Sequence, residues 1–388
     1  MSKITFETRI KILILIVFLI PSKQIEIYII TLSLMQLILF PKMKISKNLL
    51  IIFSIFSTYI ATITLIDSAN FRNLTELMRF LPLLLLTRFY GKLDADASHT
   101  VLYSIFYLAI LVGVISCVQI ISPNNPISNA IAETYNTTGH YTKSFIGNNR
   151  ASAVGTGPGQ AGALGALVFS AACASLLHAK RSKRKLSIVA MFSSVIIVLA
   201  AQSQTALITI IVISTISYLL NFSKITMAFH ICVLMLALSG ANLLNRISNI
   251  YNIDYLMTLF VHGLARSSFV KRVDKWSEMI GAVQDRPFLW IMGVGKDFHG
   301  VKSAATDSDW VYLLTVYGII PTILVFSAVI YVFIQRIKTS NFSVELKFLT
   351  VSCGVIISLA SAFLFDVKIV MIFILITVCA KNIGVKNA

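Results

Sequence analysis

Arg150 stands just ahead of a glycine-rich stretch, Gly155-Thr156-Gly157-Pro158-Gly159-Gln160, that runs into an apolar segment. Glycines allow close backbone approach and positive φ, and a helix N-terminus with free N–H groups favours an anion. An arginine beside it adds a bidentate phosphate clamp. The stretch is not a phosphate-binding P-loop, because no Gly-Lys-Ser/Thr follows; a flexible turn back into the apolar segment is the competing reading. A second polar region holds Arg246, Arg266, Lys271, Arg272, Lys275, Arg286, Lys296 and Lys302 against Asp254, Asp274, Glu278, Asp285, Asp297, Asp307 and Asp309. It ends in Asp307-Ser308-Asp309-Trp310. Ser308 or Asp307 can cap the helix that follows, and Asp307 or Asp309 can instead act as a general base on a hydroxyl. His140 and His299 can transfer protons, although lone histidines are more often ordinary surface.

These residues must be positioned by a hydrophobic scaffold. The chain has 388 residues, of which 57% are hydrophobic and 13% charged, with a mean hydropathy of +0.83. A soluble domain carries about 25% charged residues, so lipid is the expected main solvent. Apolar runs near 8–20, 27–41, 49–66, 76–90, 101–121, 160–178, 187–201, 205–220, 225–241, 309–334, 348–365 and 367–381 predict an all-α, polytopic membrane bundle of about twelve helices forming a single domain over 1–388. The first run lacks a small-residue cleavage site and reads as a retained helix. Cys117, Cys173, Cys232, Cys353 and Cys379 all fall inside apolar runs; their spacing suggests neither a metal site nor a disulfide framework.

Orientation follows from the short connections. With the N-terminus inside, the inner segments collect Lys3, Arg9, Lys42, Lys44, Lys47, Arg88, Lys92, Lys180, Arg181, Lys183, Arg184, Lys185, Lys224, Arg336, Lys338, Lys347, Lys381 and Lys386. The short outer turns hold Lys23, Arg72 and Lys368. Such a bias places both termini on the cytoplasmic side of the membrane. It also accounts for most of the formal charge of +17 without nucleic acid.

Residues 122–158 and 242–308 are then long outer loops, the second expected to be the larger. They contain Trp, Phe, Tyr and Ile, which predicts partial folding. Phe269, Val273, Trp276, Ile280 and Val283 recur at helical spacing and predict an amphipathic helix with Arg272 and Lys275 on its polar side. Within the spans, Glu76 and Arg79 stand three apart and can pair; otherwise Arg79 faces a polar cavity.

Three stretches resemble the O-antigen polymerase and ligase superfamily, Wzy-type polymerases in particular. They are Arg150 with its glycine-rich follow-on; Arg272-Val273-Asp274-Lys275-Trp276 with Asp285-Arg286-Pro287 and Gly293-Val294-Gly295; and Asp307-Ser308-Asp309-Trp310-Val311-Tyr312-Leu313-Leu314 with Tyr317-Gly318-Ile319-Ile320. The likeness covers mainly residues 145–325. Ligases of the family typically have a histidine where this chain has Asp307 or Asp309, which favours polymerase. Ala201-Gln202-Ser203-Gln204-Thr205 stands where many members have a Ser-Arg pair, so an arginine role there is absent or moved.

The resemblance implies a glycosyltransferase that joins undecaprenyl-diphosphate-linked oligosaccharide repeats at the periplasmic face in lipopolysaccharide biosynthesis. No cofactor or metal is expected. The implied partners are the lipid-linked glycan, the bilayer and a chain-length regulator protein. A diphosphate leaving group needs fixed cationic donors. Arg150 and Arg272 are assigned to it, with Arg266, His299, Arg79, Gly157 and Gly159 as further substrate-binding candidates and Asp307 or Asp309 as the base. A ligase, or a lipid-linked oligosaccharide flippase or other transporter, is the alternative; a flippase would have short loops and charges in a central cavity.

Overall fold

The computed structural model describes residues 5–45, 47–66, 72–89, 93, 95–178, 181–220, 267–284, 287–295, 308–339 and 341–383. Among them every regular element is helical. In chain order these are α1 (Phe6–Leu19), α2 (Ile25–Leu39), α3 (Lys47–Ile66), α4 (Arg72–Leu86), α5 (Ala95–Ile121), α6 (Pro126–Tyr135), α7 (Pro158–His178), α8 (Arg181–Ala201), α9 (Gln204–Leu220), α10 (Ser267–Gln284), α11 (Pro287–Met292), α12 (Ile319–Lys338), α13 (Phe342–Ser358) and α14 (Val367–Ile383). Helices occupy eleven of the twelve expected positions; the expected span 225–241 lies outside the described residues. Among the described residues, four helical stretches are long and apolar enough to cross a membrane: Ala95–Ile121, Pro158–His178, Arg184–Ala201 and Ile319–Lys338.

The centre of the bundle is α7, whose residues Ala161 to Ser175 are all buried. Its sequence alternates Ala, Gly and Ser with larger residues, and small side chains let helix backbones approach closely. A Cβ added at Gly162 would lie 2.3 Å from Ser203 Cβ. α7 packs against α8, α9 and α13, with α5 and α14 behind them. At the periphery, α12 buries none of its residues, and Ile323, Leu324, Phe326 and Ile337 face outward. An apolar helix exposed in this way suits a lipid solvent.

Contacts divide the connections into two ends. At one, Arg88 donates to the carbonyls of Gln36, Phe40 and Met43, Arg9 donates to Leu39 O, and His178 and Arg336 meet Glu345. At the other, the α1–α2 turn, the 122–157 segment, the start of Asp309–Tyr312 and the α13–α14 hairpin touch one another.

Two expectations need correction. The run 309–334 is not one helix. A short helix, Asp309–Tyr312, passes into a wide turn, Leu313–Tyr317, and breaks at Gly318 before α12 begins. The break is enforced by Gly318, at φ +84° and packed onto Ile291 O. Ser308 occupies the N-cap position, but its side chain makes no capping bond. Its hydroxyl donates to Ser358 O instead, tying the short helix to α13.

Candidate functional site at the loop end of the bundle

The segment that leads from Arg150 into the glycine-rich stretch is buried and tied to its surroundings by hydrogen bonds. Ala151 to Gly155 are buried. Ala153 is held at φ +46°, a conformation costing a non-glycine residue about 1–3 kcal/mol. The surroundings over-determine it: the Ala153 N–H donates to Gln119 Oε1 at 2.9 Å, and Ala151 N–H donates to Ala200 O at 3.0 Å. Arg150 donates from Nε to Ala201 O at 3.1 Å and from Nη2 to Gln202 O at 3.4 Å. Its fork therefore spans the last carbonyl of α8 and that of the residue after it, where helix-end acceptors lack internal donors. Arg150 thus brings a guanidinium to the corner between α8 and α9, where residues 201–205 themselves hold no arginine. Beside it, Gln202 is fully buried at φ +49°, and both of its amide atoms lack a hydrogen-bond partner among the described residues. Gly157 is buried, and a Cβ there would lie 2.8 Å from the His140 ring. Gly159 is exposed with open space around it.

The amphipathic helix forms as expected, as α10. Met279 and Val283 are buried and Phe269 packs edge-on against Trp276, although Val273 stays 41% exposed. Arg272 is half-buried on this helix. α10 rests on α11, the short helix Asp309–Tyr312 and the wide turn. Beneath it two chain segments meet backbone to backbone: Val294 N–H donates to Thr315 O at 2.8 Å and Gly295 N–H to Val316 O at 3.1 Å. Gly293, at φ +74°, has Val316 O where a Cβ would sit, 2.2 Å away. Tyr59 closes the junction by donating to the carbonyls of Met292 and Tyr317. Gly-Val-Gly and Tyr-Gly thus form the two sides of one contact.

Asp309 is 1% exposed. Its Oδ2 accepts the backbone N–H groups of Phe363 at 2.7 Å and Leu364 at 2.6 Å. Burial pushes this carboxyl up to about 7, and the hydrogen bonds from the hairpin oppose that rise. The geometry makes Asp309 a staple between the short helix and the α13–α14 hairpin.

That hairpin is the hub. Phe365 packs on Tyr312 and stacks on Tyr317, under α10. Asp366 accepts from the Gln160 side-chain amide and from Ile369 N–H at 3.1 Å. Lys368, 1% exposed, donates to Val154 O at 2.8 Å in the glycine-rich loop and to Phe18 O at 3.1 Å near the end of α1. The end of α1 is closed by three side chains: Tyr28 on Val17 O, Lys368 on Phe18 O and Tyr135 on Leu19 O. The rings of Tyr28 and Tyr135 also flank the Lys368 ammonium at 5.8 and 5.4 Å. Between these parts lies a cleft of about 210 Å³, lined by Ser22, Lys23, Tyr28, Thr137, Thr156, Gln160, Phe365 and Asp366 among others. Burial raises the Asp366 carboxyl above its ordinary range, against the hydrogen bonds of Ile369 and Gln160 and the Lys368 charge.

The structure therefore joins the loop of Gly157 and Gly159 to the hairpin, and joins Asp309 and the α10 unit to the same hairpin from the other side. Arg150 is seated at the α8–α9 corner and Arg272 on α10. Arg79 is half-buried on α4; its expected pairing with Glu76 falls outside the described side chains, and Arg266, His299 and Asp307 lie outside the described residues. The described residues contain no cluster of His, Cys, Asp or Glu suited to a metal ion. Sequence reasoning counted Lys368 only as an outer turn charge and gave Asp366 no role. A signal was available: they are the sole charges between Lys347 and Lys381, and charge in an apolar setting is a functional hypothesis by default.

The chain matches no protein-family model and no curated protein.

Proposed function

We propose that this chain is a membrane glycosyltransferase of the O-antigen polymerase type, joining lipid-diphosphate-linked oligosaccharide repeats at the periplasmic face of the inner membrane. The observation that carries the reading is the packing of the polar loop segments. The Arg272 helix, the Gly293–Gly318 junction, the Asp309 staple and the glycine-rich loop are all built around one hairpin, at the end of the bundle opposite its basic turns. A transporter would need no such folded loop platform outside its spans.

In the proposed reaction the terminal hydroxyl of one repeat attacks the anomeric carbon of the other glycan. A new C–O bond forms, the bond from that carbon to the lipid diphosphate breaks, and the hydroxyl proton passes to a base. Negative charge grows on the departing diphosphate, where preorganised cations act most strongly. Arg272 is assigned to that charge, with Arg266 assisting. Arg150 acts alongside by fixing the glycine-rich loop to the end of α8 while presenting its charge there. Asp307 is favoured as base over Asp309, whose carboxylate is committed to the hairpin backbone.

Deleting the gene and resolving lipopolysaccharide on a gel tests the reading. The expected product is core carrying a single repeat unit. Core with no repeat would indicate a ligase, and an unchanged ladder would overturn the proposal.

A further inference from the structure

The cleft beside Asp366 has a chemistry distinct from that of the arginines. Its walls bring together one carboxylate (Asp366), one amide (Gln160), the hydroxyls of Ser22, Thr137 and Thr156, and the Lys23 ammonium. Lys23 is exposed and donates to Glu133 O, while the buried Lys368 ammonium is already engaged by two carbonyls. A phosphate would meet the Asp366 carboxylate at close range and be repelled. An apolar ligand would strip water from the acceptor positions that Asp366 keeps beyond its bonds to Gln160 and Ile369, and from the hydroxyls lining the cleft, at a desolvation cost for each. A neutral ligand rich in hydroxyls satisfies all of them, since each hydroxyl both donates and accepts. At about 210 Å³ the cleft is smaller than the roughly 300–1,000 Å³ of sites for larger ligands, so it admits one ring rather than a chain. Phe365 and Tyr28 supply apolar wall for a ring face.

We propose that this cleft, formed by the α1–α2 turn, the glycine-rich loop and the α13–α14 hairpin, is a subsite for one neutral sugar ring of the glycan, with Asp366 accepting its hydroxyls. The proposal deepens the polymerase reading and rests on it for the identity of the glycan. Asp366 is a binding residue here: no bond is made or broken in the cleft. The hairpin that holds the sugar also holds Asp309 and packs under the Arg272 helix, which sets the ring beside the transferring end of the site.

Titrating full-length protein in detergent with the oligosaccharide repeat released by mild acid from the host cell's own surface polysaccharide tests this, read by calorimetry or saturation-transfer NMR. Asp366→Asn is expected to weaken binding by about tenfold or more, the scale of a lost charged hydrogen bond. Ser22→Tyr fills the cleft while leaving the Asp366 partners in place, and is expected to weaken binding at least as much. It decides the matter if Asp366→Asn fails to fold. Absence of binding by the unaltered protein, or unchanged binding by a folded Ser22→Tyr, overturns the subsite. The gene deletion separates this from the functional reading: an intact ladder with sugar binding lost in the variants removes the polymerase and keeps the subsite, whereas a lost ladder that Ser22→Tyr fully restores, with sugar binding intact, removes the subsite alone.

Discussion

Two carboxylates serve the two ends of α13 in different ways. Glu345, in its first turn, is completely enclosed, with Arg336 from α12 at 2.8 Å and His178 from α7 as partners. Asp366, in the hairpin beyond the other end, is only half-buried and borders an open cleft. A carboxylate enclosed in this way, with a side-chain partner on each oxygen, has no space for a ligand beside it and serves to hold helices together. One that opens on a cleft lined by hydroxyls keeps acceptor capacity for a ligand. The sequence shows the same residue class at both places, and what divides structure from function is the space beside it.

Glu345→Ala breaks that comparison most severely. It leaves the Arg336 guanidinium beside a buried void, and loss of one partner of a buried pair costs about 3–5 kcal/mol. A large fall in the unfolding midpoint of the detergent-solubilised protein is expected. Asp366→Asn is expected to cost less, because solvent reaches its carboxylate through the cleft; equal losses would make Asp366 a second staple. Next comes Gly318→Ala, which adds a Cβ 2.3 Å from Ile291 O at a left-handed backbone. Strain and overpacking together cost roughly 2–4 kcal/mol, again read from thermal unfolding. Arg150→Lys replaces a fork that reaches two carbonyls by a point donor, with an expected loss of about 1–2 kcal/mol. A wild-type midpoint would show that the α8 corner does not depend on the guanidinium. The smallest effect belongs to Gly159→Ala, where nothing lies within 4 Å of the new Cβ. A change within about 0.5 kcal/mol is expected, and a large one would mean that the glycine-rich loop needs the freedom of Gly159 itself.

Helices were legible because hydropathy and the positive-inside bias are written locally. The amphipathic α10 was equally readable from the spacing of Phe269, Trp276, Ile280 and Val283. What local pattern does not carry is which loop meets which. Asp309 accepts from residues 54 and 55 positions away, and Lys368 donates to a carbonyl 350 positions away. Ser308 matches a capping signature yet spends its hydroxyl on α13, because tertiary contact outcompetes the local cap. Gly293 and Gly318 could be seen as turn residues, but their mutual close approach exists only across the junction. Lys368, counted as an outer turn charge, proved to bind α1 to the glycine-rich loop, a role set wholly by long-range packing.

Reconstitution tests the central claim most directly. Purified protein in proteoliposomes, supplied with lipid-diphosphate-linked single repeats, is expected to yield lipid-linked glycans of two and more repeats with release of the lipid diphosphate. Arg272→Ala is expected to slow this about 100-fold, the scale of removing one preorganised donor to developing charge. Single repeats left unjoined by a folded, membrane-inserted wild-type protein would contradict the account.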